Sequence, residues 1–170
     1  MPHVFEPAPT GRAKCRGCGQ AIAKGALRFG EHVPNPFGEG EATLWFHPRC
    51  AAFKRPAALL EALSPAVDDH AELARIAGAS ALHKRVPRVD GAERAPSGQA
   101  ACRHCREKIE KGAWRIRLSI YDEGRFTAAG FVHFGCRPAY FEDHDVLEAI
   151  LFFSPKLSDD EREELKRAYA

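Results

Sequence analysis

The chain has 170 residues, of which 45% are hydrophobic and six are cysteines, and its formal net charge is +2. This length allows one ordinary domain or two small ones, and the hydrophobic content excludes a chain that is disordered throughout. No apolar run approaches the roughly 18 residues of a membrane-spanning helix, and the N-terminal residues lack the apolar core of a signal peptide. We therefore expect an intracellular protein whose cysteines stay reduced.

The charge is unevenly distributed along the chain. Residues 11–55 carry eight Lys or Arg against three Asp or Glu, and residues 94–141 carry nine against four. Residues 142–170 are acidic, with nine Asp or Glu against four Lys or Arg. Positive charge on the two cysteine-containing segments favours an anionic partner for them.

Each cysteine-containing segment predicts a pair of strands. Residues 27–29 begin a strand on which Arg28 points outward, and residues 43–47 are typical of the return strand. In the second segment apolar residues alternate with polar ones, which places four on the core face: Trp114, Ile116, Leu118 and Ile120. The other face then holds Arg115, Arg117, Ser119 and Tyr121.

The segments that follow the strands predict helices. Residues 56–63 and 65–77 fit two helices, the first with a proline in its first turn and the second capped by Ser64. Residues 86–98 are rich in turn-forming residues and are interpreted as a linker. A short helix is expected over residues 145–153, and the last helix starts at Ser158 with a capping-box pattern.

All six cysteines stand in pairs with metal-ligand spacing. A C-x2-C pair is followed by an H-x2-C pair after 28 residues in the first half and after 27 residues in the second. A structural zinc site takes four tetrahedral N or S ligands, so two such pairs close its shell and leave no position for catalysis. The sequence therefore predicts two Zn²⁺ ions, one bound by Cys15, Cys18, His47 and Cys50 and the other by Cys102, Cys105, His133 and Cys136.

Two alternatives for the cysteines explain less of the pattern. A disulfide framework fits an even number of cysteines, but it leaves the matched positions of His47 and His133 without a role. An iron–sulfur cluster normally uses cysteines alone.

The two halves of the chain repeat in register. Cys15 and Cys102 are 87 positions apart, and His47 and His133 are 86 apart. We expect an α+β protein of two small zinc-stabilised fingers, each a short antiparallel sheet with helices following the H-x2-C pair. The first finger with its helical tail covers residues 1–85, the linker residues 86–98, and the second finger with its tail residues 99–170.

Several motifs of the first finger resemble the zinc finger of poly(ADP-ribose) polymerases and DNA ligase III. They are GRAKC at residues 11–15, KGALR at 24–28, VPNPF at 33–37 and WFH at 45–47. The resemblance covers roughly residues 8–55 and 95–141. In that family the finger recognises nicks, gaps and ends of DNA by their structure.

The resemblance implies a set of DNA-contacting residues. Basic side chains grip phosphates, and an apolar loop stacks on the base pair exposed at a break. The matching positions are Arg12, Arg28 and Phe37 in the first finger and Arg115, Arg117, Tyr121 and Phe126 in the second. The second finger departs from the pattern, because Gln99 replaces Arg12 and two acidic residues lie between Tyr121 and Phe126.

The leading hypothesis is a non-enzymatic, zinc-dependent protein that binds DNA strand breaks in repair or break signalling. It would work at the nucleoid of a bacterium or in the nucleus of a eukaryote, and its acidic helical tails would recruit a repair protein. One alternative is a zinc-stabilised protein-interaction adaptor with little DNA affinity. Another is an enzyme of nucleic-acid metabolism whose site would use the acidic clusters at residues 68–70 and 142–145, although acidic residues are common at helix N-termini.

Overall fold

Two three-stranded antiparallel sheets, each followed by helices, organise the chain. The computed structural model describes residues 2–84 and 87–170, which belong to two compact units with one sheet each. This arrangement confirms the predicted fold class. Within the described ranges, every helix is too short or too polar to cross a membrane.

The first sheet has the order β1-β2-β3. Its strands are β1 (Val4–Pro7), β2 (Leu27–Pro34) and β3 (Glu41–Phe46). Phe29 on the central strand pairs with Phe5 on one side and with Phe46 on the other. The ring centroids lie 5.2 Å and 6.2 Å apart, so aromatic contacts between neighbouring strands form the core of this unit beneath the helices.

Three helices follow the first sheet: α1 (Pro48–Lys54), α2 (Pro56–Ala62) and α3 (His70–Leu82). The helix α1 was not predicted; it begins inside the H-x2-C pair with proline in its first turn. The predicted start of α3 at residue 65 is wrong, because two consecutive turns precede the helix. In the first turn the N–H of Val67 donates to the carbonyl of Ser64, and in the second the N–H of His70 donates to the carbonyl of Val67. The helix begins only after Asp69.

The second sheet has the order β4-β5-β6. Its strands are β4 (Arg88–Arg94), β5 (Trp114–Asp122) and β6 (Arg125–His133). The buried face of β5 is the predicted one, with Trp114, Ile116 and Leu118 in the core. In both sheets one strand, β1 or β4, comes from the segment that precedes the cysteines.

The prediction of a linker over residues 86–98 is wrong for the residues that form the third strand, β4. Residues 88–94 are strand, whereas residue 86 lies outside the described residues. The Asp90–Gly91 pair suggested a turn, but the register shifts between Val89 and Ala92, which marks a bulge within the strand. Gly91 has φ 110°, a conformation that glycine adopts without strain.

The second unit continues through a 3₁₀ turn (Phe134–Cys136) and three helices: α4 (Arg137–Tyr140), α5 (Leu147–Phe152) and α6 (Asp159–Tyr169). The predicted capping box is confirmed, since Ser158 and Glu161 exchange hydrogen bonds at the start of α6. Phe141, Ile150 and Leu165 are fully buried in the same core as Ile116 and Leu118, and α5 packs against β4.

Candidate metal centres and nucleic-acid surface

The four predicted ligands of the first metal site meet at one point. Cys15 and Cys18 lie on a tight loop between β1 and β2, where the N–H of Gly19 donates to the Cys15 carbonyl. His47 follows β3, and Cys50 lies in the first turn of α1. The four ligand atoms are all within 4.8 Å of one another.

The second metal site repeats this construction. Cys102 and Cys105 lie on a loop in which the N–H of Arg106 donates to the Cys102 carbonyl, and Arg106 has φ 70° at the position that Gly19 occupies in the first loop. His133 ends β6, and Cys136 ends the 3₁₀ turn. These ligand atoms also lie within 4.8 Å of one another.

The distances between ligands fit tetrahedral zinc. Zn–S bonds of about 2.3 Å and Zn–N bonds of about 2.0 Å require S–N separations of roughly 3.6 Å. Nδ1 of His47 lies 3.4 Å from Sγ of Cys18 and 3.8 Å from Sγ of Cys50. In the second site the corresponding distances from Nδ1 of His133 are 3.3 Å and 3.8 Å. Both sites are therefore Cys3His zinc sites that bind through Nδ1.

Backbone groups hold the ligands in place. The N–H groups of Gly17 and His47 donate to Sγ of Cys15 at 3.3 Å and 3.2 Å. In the second site Cys102 accepts two equivalent bonds at 3.4 Å, and Nε2 of His133 donates to the Lys108 carbonyl at 3.2 Å. Such bonds stabilise thiolates and fix the histidine ring, which favours metal binding.

Without metal, the ligands of the first site differ in the direction in which their pKa values are shifted. Hydrogen bonding with Cys18 and Cys50 lowers the pKa of Cys15, whereas hydrogen bonding with Cys15 raises the pKa of Cys50. The sulfurs of Cys15 and Cys18 raise the pKa of His47 to about 10. Zinc must therefore displace protons from His47 and Cys50 when it binds.

The second site shows the same division between its ligands. Burial by itself would raise the pKa of Cys102. Hydrogen bonds from backbone N–H groups, the largest from His133, outweigh that effect and lower the pKa to about 6. Burial, together with the sulfurs of Cys105 and Cys102, raises the pKa of Cys136 to about 12. Within residues 2–84 and 87–170, these two Cys/His sets are the only His, Cys, Asp and Glu groups placed to hold a metal ion, and the acidic clusters at residues 68–70 and 142–145 are not among them.

Two residues of the predicted DNA-contacting set are exposed on the first finger. Phe37 is 83% exposed in the loop between β2 and β3. Its N–H donates to Oδ1 of Asn35 at 3.0 Å, and the N–H of Asn35 donates to the Gly40 carbonyl at 3.0 Å, so the loop is closed and internally bonded. Arg12 is exposed next to the first cysteine loop.

The expected outward orientation of Arg28 is wrong. Its side chain is only 9% exposed, Nη2 donates to Oε1 of Glu6 at 2.7 Å, and the guanidinium carbon lies 3.4 Å from the centroid of the Trp45 ring. The side chain is buried because β1 and the return strand enclose it from both sides. It therefore binds neighbouring strands together.

Arg115 repeats this arrangement in the second finger. Its side chain is 8% exposed, it donates to Glu93 at 3.1 Å, and its guanidinium carbon lies 3.6 Å from the centroid of the Phe131 ring. Arg117 is half-buried and donates to the carbonyls of Asp90 and Phe153, which ties β4 to the end of α5. The outward face predicted for β5 is thus largely engaged within the unit.

The hairpins of the two fingers differ in length. The β2–β3 loop spans residues 35–40, whereas β5 and β6 are joined by Glu123 and Gly124 alone, both with positive φ. Tyr121 and Phe126 flank this two-residue turn and are half-buried. The second hairpin therefore offers no counterpart of the extended loop that presents Phe37.

Sequence reasoning missed the glutamates that hold the two buried arginines. The signal was present in the repeat, because Glu6 and Glu93 are 87 positions apart, the same interval as Arg28 and Arg115. Glu93 lies within the residues predicted to be a linker, for which no side-chain contact was expected, whereas in the structure it belongs to β4.

Comparison with known proteins identifies a family model and several relatives that this chain matches. Residues 6–86 match the family model described as the poly(ADP-ribose) polymerase and DNA-ligase Zn-finger region. A poly(ADP-ribose) polymerase of Sarcophaga peregrina is 30% identical over 72% of this chain, and that of Drosophila melanogaster is 31% identical over 72%. Poly(ADP-ribose) polymerase 1 of Gallus gallus is 31% identical over 68%. The chain spans about 14% of the length of the two insect relatives.

Proposed function

Since the chain belongs to the poly(ADP-ribose) polymerase and DNA-ligase type of zinc-finger proteins, with its family match at residues 6–86, we propose that it is a zinc-dependent DNA-binding protein that recognises strand breaks by their structure. The observation that carries this proposal is the exposed aromatic ring of Phe37 on an internally bonded loop.

Phe37 suits a contact with the end of a base stack. A large apolar side chain that is 83% exposed has few contacts within its own finger to lose when it meets a partner. Stacking on a base contributes about 1–3 kcal/mol and tolerates any base. An intact duplex hides its base faces, so the loop can stack only where a strand is interrupted.

Exposed cations near the first zinc site complement this loop. Arg12, Lys14, Arg16 and Lys24 are all exposed on the first finger. Phosphate contacts of this kind position a protein on DNA without reading its sequence. We assign the phosphate contacts of the first finger to these residues, with Arg12 at the position that the family resemblance marks.

The buried arginines enter the proposal in a different role. Arg28 and Arg115 are engaged with Glu6 and Glu93, and Arg117 with backbone carbonyls. In our proposal they support the sheets from which the contacting loops extend. A direct phosphate contact by Arg28 would require its separation from Glu6.

The second finger would contribute mainly charge. Its cysteine loop exposes Arg103, Arg106, Lys108 and Lys111, while its hairpin ends in a two-residue turn. Tyr121 and Phe126 are stacking candidates only if their half-buried rings become accessible. We therefore propose that the second finger adds affinity for the backbone and that end recognition depends on the first.

A comparison of DNA substrates tests the proposed function. The zinc-loaded chain is titrated against one duplex in three forms, namely nicked, blunt-ended with an accessible terminus, and closed into a circle without breaks. We expect tighter binding to the first two. Equal affinity for all three would contradict break recognition, and no binding to any of them would favour the protein-interaction adaptor.

We propose a non-enzymatic part in DNA repair or break signalling, in the nucleoid or the nucleus, with the acidic face of α6 recruiting a repair protein. Replacing Asp159, Asp160 and Glu163 with Asn or Gln should abolish such recruitment while DNA affinity is kept. Unchanged recruitment would remove the acidic tail from the proposal.

A further inference from the structure

A buried lysine lies behind the cysteine loop of the first zinc site. Lys54 is the last residue of α1, the helix that carries Cys50, and is 3% exposed. Its Nζ donates to the carbonyl oxygen of Gly17 at 2.7 Å. Gly17 lies between Cys15 and Cys18, so the lysine reaches from the helix of one ligand pair to the loop of the other.

The peptide that Lys54 contacts is closely packed against the metal ligands. The N–H of Gly17 donates to Sγ of Cys15 at 3.3 Å. A Cβ atom added at Gly17 would come within 2.9 Å of Cβ of Cys50, closer than packed side chains tolerate. Movement of this peptide would therefore shift both ligand pairs relative to each other.

The charge of Lys54 also suits the site. Three thiolates and one neutral imidazole around Zn²⁺ leave one net negative charge. A buried ammonium group is unfavourable unless hydrogen bonds and nearby negative charge compensate it. The Gly17 carbonyl supplies a hydrogen bond, and the zinc–thiolate centre next to it supplies the negative charge.

The second finger replaces this contact with one between two aromatic rings. Tyr140 stands 86 positions after Lys54, and His104 stands 87 positions after Gly17. The two rings meet edge to face, with centroids 6.5 Å apart. The second site is also more open to solvent, because Cys105 is exposed whereas the equivalent Cys18 is half-buried.

We propose that Lys54 is a positioning residue of the first zinc site, and that through it the first site retains zinc longer than the second. The ammonium group holds the Cys15–Cys18 loop against α1 and offsets the charge of the thiolates. Loss of a group that hydrogen-bonds a metal ligand typically costs 10–100-fold in metal affinity, and Lys54 holds the Gly17 peptide whose N–H donates to the ligand Cys15. The proposal concerns zinc alone and does not depend on DNA binding.

Zinc release from the whole chain tests this role. The zinc-loaded protein is mixed with a coloured chelator, and the imidazole resonances of His47 and His133 report which site has emptied. We expect two phases, with His133 reporting the faster one. In Lys54→Met the release reported by His47 should accelerate at least tenfold, while the phase reported by His133 keeps its rate.

Two further variants separate charge from hydrogen bonding and from general damage. Lys54→Gln keeps a donor without charge, and its first site should release zinc faster than the wild type but more slowly than Lys54→Met. If Lys54→Met does not fold, the Gln variant decides the outcome. Lys84→Met, which removes an exposed lysine of the first unit that has no assigned role in binding, should leave both phases unchanged. Wild-type release from the first site in Lys54→Gln would overturn the proposal.

Discussion

The guanidinium carbon of Arg28 lies 3.4 Å from the centroid of the Trp45 ring, beneath the surface of the first finger. With the bond to Glu6, this contact joins three strands through one side chain. Arg115, Phe131 and Glu93 form the same set in the second finger. The repetition indicates that the set belongs to the architecture of the fold.

Arg28→Ala should therefore lower stability more than it lowers the salt dependence of DNA binding. Loss of the ring contact and of the bond to Glu6 should cost about 1–3 kcal/mol of unfolding free energy, part of it screened because Glu6 is partly exposed. Denaturant unfolding of Arg28→Ala and Arg115→Ala measures this cost. Unchanged stability with a smaller salt slope would instead establish Arg28 as a phosphate contact.

Phe37→Ala should weaken binding to nicked DNA by about 1–3 kcal/mol, because a stacking contact is lost. Binding to an unbroken circle should not change, since that substrate offers no free base face. Leu82→Ala is the matched control, because Leu82 is also apolar and exposed but lies at the end of α3. Anisotropy titrations on both substrates measure the difference, and equal losses on both would refute the stacking role.

Arg12→Ala should reduce the salt dependence of DNA binding. One phosphate contact accounts for a slope of about −0.9 in a plot of log K against log salt, so the slope should become shallower by that amount. Gln99→Ala changes the equivalent position of the second finger, where no charge is lost, and should keep the slope. A slope that stays the same in Arg12→Ala would remove Arg12 from the interface.

The ion pair between Glu31 and Arg55 has an apolar counterpart in the second finger. Glu31 is 3% exposed and accepts from Nε of Arg55 at 2.9 Å, whereas the equivalent positions are Leu118 and Phe141, both in the core. Glu31→Leu alone should destabilise the first finger by about 3–5 kcal/mol, because it leaves a half-buried guanidinium without its carboxylate.

The double variant Glu31→Leu with Arg55→Phe should recover most of that loss, since an apolar pair of this kind already packs in the repeat. Thermal unfolding of the two variants beside the wild type measures the coupling. Additive losses in the double variant would show that the two cores are not interchangeable at this position.

Zinc affinity should rise with pH. In the metal-free protein the pKa of His47 is raised to about 10 and that of Cys136 to about 12, so both groups hold protons at neutral pH that zinc must displace. Each displaced proton makes the apparent affinity roughly tenfold stronger per pH unit below these pKa values. Competition with a chelator between pH 6 and pH 8 measures the slope, and a flat profile would contradict proton displacement.

The sequence predicted the zinc ligands and the strands that carry the histidines, because fixed spacing and alternation are local signals. It could not predict the burial of Arg28 and Arg115, since that depends on a strand that arrives from upstream of each cysteine loop. The residues of β4 were predicted to be a linker, because Asp90–Gly91 is a common turn pair. The bulge that accommodates this pair is defined only by the pairing of β4 with β5. The DNA-contacting role of Arg12 and Phe37 stays a prediction.

The strands upstream of the cysteines, β1 and β4, also determine how long a fragment must be to contain a complete finger. A fragment that starts at residue 99 would keep all four ligands of the second site but would lack β4, Glu93 and the backbone carbonyl of Asp90 that Arg117 uses. Its central strand would have an open edge, Arg115 would lose Glu93, and Arg117 would keep only the carbonyl of Phe153 of its two backbone acceptors. The smallest second finger that keeps these contacts therefore has to begin at or before Arg88, which is 14 positions ahead of its first cysteine, Cys102.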